Sequence, residues 1–228
     1  MGESLAQNIQ LLSVQFVPFV MAVVFHEYAH GFIASRWGDK TAKENGRLTL
    51  NPVPHIDPLG TLVFPILMML SGTHFLFGWA KPVPIDPRRF RKFRPGLFWV
   101  SFAGPGMNFL LALLSAASFC AIQRWMPQDF FFFEPLITMC YVSITLNYAL
   151  GFFNLIPVPP LDGSKVIESV LPLHLARKYE SLSRYGMLIL MALLFTGALN
   201  VIGTPIRIAS RLTLGLMAHA FHLPEVAL

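Results

Sequence analysis

Two histidines four residues apart with a glutamate between them, His26-Glu27-Tyr28-Ala29-His30, are the most chemically pointed feature of this 228-residue chain. On a helix, such histidines lie about 40° apart in projection and about 6 Å apart along the axis. Both imidazoles can therefore reach one tetrahedral Zn2+. Glu27 falls on the flank of that face, where a carboxylate can take a proton from a water activated by the metal. The plainer alternative is a pair of histidines satisfied by neighbours inside a helix bundle. Their setting weighs against it: the run Ile9 to Ile33 is apolar, and titratable groups in such a segment are costly and usually mark function.

A catalytic zinc takes a third protein ligand and keeps one position for water. Of the five Asp and seven Glu, most in loops or near the termini, the best placed is Asp162. It lies in Asn154-Leu155-Ile156-Pro157-Val158-Pro159-Pro160-Leu161-Asp162-Gly163. The prolines end the preceding helix and push their neighbours toward extended backbone, and irregular backbone at membrane depth is tolerated only where it is buried in protein or lines a polar cavity. The residues alone leave two roles for Asp162: a ligand at the rim of such a cavity, or the N-cap of a helix beginning at Gly163. Asn147, two helical turns before Asn154 on the same face, suits a hydrogen bond to a neighbouring helix better than orientation of the site. Gly104-Pro105-Gly106 reads as a kink with close helix packing, and Asn108 as interhelical glue. His55 and Asp57 sit in a Pro-bounded turn, structural or facing the site, and His74 suits an interfacial position better than a ligand role.

The elements that must position these groups are membrane helices. Hydrophobic residues make up 54% of the chain and charged ones 13%, against about a quarter charged in soluble domains. A spanning helix needs about 20 mostly apolar residues, so five or six such segments with their loops fill the chain as a single domain, 1–228. The expected fold class is an all-α membrane protein, a polytopic bundle of five to six hydrophobic segments. The net charge of +5 does not point to nucleic acid, because the basic residues occupy short loops between apolar runs, as the positive-inside rule requires. Cys120 and Cys140 lie in apolar stretches without metal-type spacing. Met1 to Gln10 has no Lys or Arg, so no signal peptide is expected and the first segment stays in the mature protein.

The loop after the first segment holds Arg36, Lys40, Lys43 and Arg47, and the loop before Gly96 holds Lys81, Arg88, Arg89, Arg91, Lys92 and Arg94. Two short basic loops belong on the cytoplasmic side. That predicts a re-entrant, strand-containing element at 46–83. In it Gly46 to Leu50 pairs with a return strand near Phe77 to Val83, with a helix near Leu59 to Leu70 between them, and a free strand edge takes an unwound substrate by strand addition. The competing expectation is one ordinary spanning helix at Leu59 to Trp79.

Taken together, His-Glu-x-x-His on an apolar segment, Ala-Gly-Pro-x-x-Asn at Ala103 to Asn108, and the Asn154 to Gly163 motif resemble the site-2 protease family. These are intramembrane zinc metalloproteases that cut membrane-anchored substrates. The three motifs occur in the family's order, and Gly46 to Arg94 is similar to small prokaryotic members without PDZ or CBS domains. The resemblance implies zinc as cofactor, Asp162 as third ligand to His26 and His30, and Glu27 as catalytic base. It implies that Asn154 contacts the substrate backbone or the developing oxyanion. It also implies a protein integral to the inner membrane of a prokaryote, and the basic loops place the site toward its cytoplasmic side. Its partners would be the lipid bilayer and membrane-anchored protein substrates. Two rivals are a metal transporter, which would spread ionisable groups over several spans, and an inactive relative that binds membrane segments, against which the intact Glu27 argues.

Overall fold

The apolar runs fold as long helices, which satisfy their backbone polar groups internally, the condition for crossing lipid. The computed structural model describes residues 2–64, 66–67 and 78–223, with side chains of the first helix from Val14 onward. Helix α1 spans Gly2–Trp37. It stops at Gly38, whose φ of +113° no side chain adopts readily, while Gly38 and Asp39 return their N–H groups to Ser35 and Ala34. A single turn, α2 (Thr41–Glu44), follows. Helices α3 (Phe93–Trp125) and α4 (Phe133–Asn154) are the other long ones. The rest is shorter: α5 (Asp162–Val170), α6 (Leu173–Ser181), α7 (Gly186–Phe195) and α8 (Gly203–Ala220).

Three helical stretches, Val14–Trp37, Phe93–Trp125 and Phe133–Asn154, are long and apolar enough to cross a membrane. A fourth is added if Leu173–Leu193 and Ala198–Ala220, bent by 80° at their junction, form one broken span. The all-helical bundle is thus as expected. The count is three or four among the described residues, where the sequence pattern suggested five to six. His74 and most of the second apolar stretch lie outside the described residues.

Pairings along the helices set their directions. His26 meets Asn108, His30 meets Val100, and Trp37 meets Arg91, so α3 runs antiparallel to α1. Asn147 meets Asn108 and Ser143 meets Ser115, so α4 runs antiparallel to α3. On α3, Ala112, Ala116 and Cys120 repeat every fourth residue and are fully buried. Small residues at this spacing let backbones close up where no water drives association. Ile144, Tyr148, Leu214 and Ala218 of α4 and α8 pack on that stripe.

The element expected at 46–83 takes a different form. Among the described residues it contains no strand. Asp57 caps a π-helical turn, Pro58–Val63, by accepting from the N–H groups of Leu59 and Gly60. Residues 78–86 form no regular element, and the N–H groups of Trp79, Lys81 and Val83 go to the carbonyls of Gly60 and His55 and to the Glu27 carboxylate. Pro82 and Pro84 have no N–H to offer, which blunts the segment against strand pairing. Where Gly46 to Leu50 was expected to pair, the Arg47 guanidinium donates to the carbonyls of Lys81 and Pro82 at 2.8 and 3.2 Å. His55 and Asp57 are structural: His55 is buried and its Nε2 donates to the Thr49 carbonyl.

The two basic loops meet. Arg89 pairs with Glu44 at 2.8 Å, Asp86 donates its N–H to Asp39 at 2.7 Å, and Arg91 donates its own to the Trp37 carbonyl. The chain between them therefore leaves and rejoins the same end of the bundle. Single cysteines at Lys43 and Lys92, in protein lacking Cys120 and Cys140, are expected to label from the same side of intact cells. Labelling of one from outside and the other only from inside would contradict this fold.

Candidate metal centre

Three ligand atoms from two distant parts of the chain converge inside the bundle. His26 Nε2 and His30 Nε2 are 3.0 Å apart, and Asp162 Oδ2 lies 3.2 Å from each. A tetrahedral zinc with bonds of about 2.0–2.1 Å separates its ligands by about 3.3–3.4 Å, so this triangle is close to one face of such a site. His26 and His30 are buried, and the Asp162 side chain keeps 19% of its exposure.

The direction of each lone pair is fixed by the partner of the opposite ring nitrogen. His30 Nδ1 donates to the Val100 carbonyl at 2.6 Å, and a carbonyl can only accept. His26 Nδ1 lies 2.6 Å from Asn108 Oδ1. The Asn108 amide cannot be reversed, because its Nδ2 already donates to the Ala22 carbonyl and to Asn147 Oδ1. When both imidazoles are neutral, the protons on Nδ1 leave each Nε2 bare, so their 3.0 Å approach joins two lone pairs. A cation between them and the carboxylate relieves that repulsion. The donor set, two neutral imidazoles and a carboxylate with oriented outer partners, fits zinc.

Two glycines make the approach possible. A Cβ at Gly104 would lie 2.3 Å from His30 Nε2 and 2.6 Å from His26 Nε2, so α3 offers bare backbone as the wall of the site. Next to it, Pro105 lacks the N–H that would answer the Ser101 carbonyl, loosening the helix ladder beside the Val100 carbonyl that His30 uses. A Cβ at Gly163 would fall 2.2 Å from the Leu155 carbonyl oxygen. The proline turn therefore folds back tightly on the start of α5. That helix begins at Asp162 with Leu161 in the capping position, which has no side-chain oxygen to give. Of the two roles left open for Asp162, the geometry puts its carboxylate on the imidazoles.

Glu27 lies half-buried on the same helix face, and its Oε2 accepts the Val83 N–H at 2.7 Å. Asn154 is the last residue of α4, and its amide turns back to the Leu150 carbonyl at 3.1 Å. Two features escaped the sequence reading. Asn108 touches a candidate ligand directly, and Val83 touches the candidate base. The Ala-Gly-Pro-x-x-Asn spacing was the available signal for the first, because Asn108 is one helical turn from Gly104 on the same face. Val83 acts through its backbone N–H, which no side-chain pattern reveals.

A family model described as Peptidase family M50 matches residues 125–197, the part that carries Asn147, Asn154 and Asp162. The chain is 34% identical over 197 residues to "Putative zinc metalloprotease YwhC" of Bacillus subtilis, covering 86% of each chain. It is 30% identical over 194 residues to "Putative zinc metalloprotease Rip2" of Mycolicibacterium smegmatis, covering 80% of this chain and 66% of that one. To "Zinc metalloprotease MJ0392" of Methanocaldococcus jannaschii it is 24% identical over 172 residues, 75% of this chain and 38% of that one. No solved structure matches the chain.

The bare wall at Gly104 gives a test of the site's position. Gly104→Ala should purify folded yet hold close to no zinc by elemental analysis. Gly106→Ala, whose added carbon meets only the Phe102 ring at 3.4 Å or more, should keep the wild-type content. Full zinc in Gly104→Ala would move the metal away from these residues.

Proposed function

Because this chain belongs to peptidase family M50, a family of zinc metalloproteases, we propose that it hydrolyses peptide bonds in or beside the transmembrane segments of membrane-anchored proteins. The observation that carries this reading is the meeting of His26, His30 and Asp162 within a bundle of apolar helices. His26 and His30 stand 11 and 7 residues inside the end of α1, about 16 and 10 Å along its axis, at a depth where only a membrane-embedded substrate segment would meet them.

His26, His30 and Asp162 would hold the zinc. When bound, the metal supplies a Lewis acid that polarises the scissile carbonyl and makes water a nucleophile near neutral pH. Glu27 takes a proton from the attacking water and delivers it to the leaving amine. The Val83 N–H occupies Oε2, which leaves Oε1 for that traffic. Asn154, released from the Leu150 carbonyl, donates to the substrate backbone or the developing oxyanion. A helical peptide bond is shielded by its own hydrogen bonds, so the substrate must unwind locally before it is cut. The basic loops lie at the end of α1 nearer the site, which supports an inner-membrane protein with its site toward the cytoplasm and a re-entrant path for 46–83. A metal transporter would string ionisable groups along a path, whereas the long helices here carry Arg36, Arg94, Arg124 and Glu134 only at their ends and, between the ends, His26, Glu27 and His30 on neighbouring turns of α1.

The roles separate by mutation. Glu27→Gln should keep about one zinc per chain and lose cleavage of a membrane-anchored model substrate. His26→Ala and Asp162→Ala should lose both; zinc retained in full by Asp162→Ala would reassign the third ligand. For Asn154→Ala the expected loss is about 10²–10³ in turnover with zinc unchanged, the usual cost of one oxyanion donor. Unchanged turnover would reduce Asn154 to a packing residue.

A further inference from the structure

A line of buried polar side chains leads away from His26 through the centre of the bundle. His26 Nδ1 donates to Asn108 Oδ1 at 2.6 Å, and Asn108 Nδ2 donates to Asn147 Oδ1 at 2.9 Å. Asn147 Nδ2 donates to the Ser143 carbonyl at 2.9 Å and to Ser143 Oγ at 3.2 Å, and Ser143 Oγ lies 2.7 Å from Ser115 Oγ. Asn108 and Asn147 are 0% and 1% exposed, so neither has bulk water as an alternative partner. The line joins α1, α3 and α4.

What distinguishes this chain from ordinary interhelical bonding is its direction. An amide offers donors on one side and an acceptor on the other. The Ser143 carbonyl can only accept, so it fixes Asn147 with Nδ2 toward itself and Oδ1 toward Asn108. Asn147 Oδ1 can also only accept, and at 2.9 Å it is a closer partner of Asn108 Nδ2 than the Ala22 carbonyl at 3.3 Å; the two together fix Asn108 with Nδ2 toward them and Oδ1 toward His26. That orientation forces the His26 proton onto Nδ1. Turning either amide over would set donor against donor and acceptor against acceptor in a site closed to bulk water, leaving buried polar atoms unpaired.

We propose that Asn147, which touches neither His26 nor Asp162 within hydrogen-bond reach, is a positioning residue for the metal: as the closer of the two acceptors of Asn108 Nδ2, ahead of the Ala22 carbonyl, it holds the Asn108 amide in one orientation and so aims the His26 Nε2 lone pair at the ion. This rests on the zinc reading above. It predicts that the oxygen at position 147 matters as an acceptor, not as a packing or merely polar group. The acceptor and the packing can be separated. Leucine at 147 keeps most of the volume and removes the acceptor. Aspartate, kept protonated by an apolar site, accepts from Asn108 and still donates one hydrogen bond to the Ser143 carbonyl.

The test measures zinc affinity of the full chain in lipid nanodiscs by chelator competition, alongside the visible spectrum of the Co2+-substituted protein. Loss of an outer partner of a metal-bound histidine typically weakens binding about 10–100-fold. Asn147→Leu should fall in that range and shift the Co2+ bands. Asn147→Asp should bind within about threefold of wild type, and Ser115→Ala, at the far end of the line, should match wild type. If Asn147→Leu does not fold, Asn147→Ser, too short to reach Asn108, should show the same weakening and the same spectral shift. Wild-type affinity in Asn147→Leu or Asn147→Ser would overturn the proposal, as would an Asn147→Asp protein as weak as the apolar variant. A wild-type chain that binds no zinc would instead sink the metal reading itself.

Discussion

Two imidazole nitrogens and a carboxylate oxygen, each a lone-pair donor when the rings are neutral, are held 3.0 to 3.2 Å apart inside an apolar bundle. In a low-dielectric interior such a cluster is unfavourable unless a cation sits in it. Most of the unusual local structure of this chain serves that cluster. Gly104 withdraws its side chain to make room for two imidazoles. Pro105 loosens the helix so that a main-chain carbonyl can orient one of them. The proline-rich turn and Gly163 bring a carboxylate from far along the sequence to the same point.

Magnitudes indicate what the polar line through Asn108 and Asn147 contributes. It holds three side-chain bonds between helices: His26 to Asn108, Asn108 to Asn147, and Ser115 to Ser143. At about 0.6 kcal/mol each, the average for such bonds in a membrane, they add about 2 kcal/mol to helix association. Binding a zinc ion is worth about 10 kcal/mol or more. The polar line is therefore better understood as directing the metal ligand than as holding the helices together. Close packing along Ala112, Ala116 and Cys120 serves the latter purpose without directional bonds.

The candidate histidines were legible in spacing, since His26 and His30 are one helical turn apart. Asp162, which follows a run of prolines that no helix can contain, had two roles open until the family resemblance favoured one. The helical class followed from the apolar runs. The 46–83 element was less legible. Its strands were inferred from loop charge and short apolar runs, but prolines at 82 and 84 and the reach of Arg47 decided its local form. The segment count stands at three or four among the described residues, because most of the second apolar stretch lies outside them and apolar composition does not distinguish a span from the bent pair of helices at the C-terminal end. Asn147 was undervalued because a single asparagine in an apolar helix looks the same whether it bonds any neighbour or one particular amide. Only the partners' directions separate those cases.

The central claim is the identity of the atoms around the metal, and zinc K-edge X-ray absorption of the full chain in lipid tests it most directly. The account predicts one zinc per chain with two imidazole nitrogens and two oxygens in its shell, at about 2.0–2.2 Å. In Asp162→Ala any zinc that remains should have one oxygen ligand replaced or lost, with both imidazoles kept. A shell with sulfur at about 2.3 Å, or one with fewer than two imidazoles, would contradict the account.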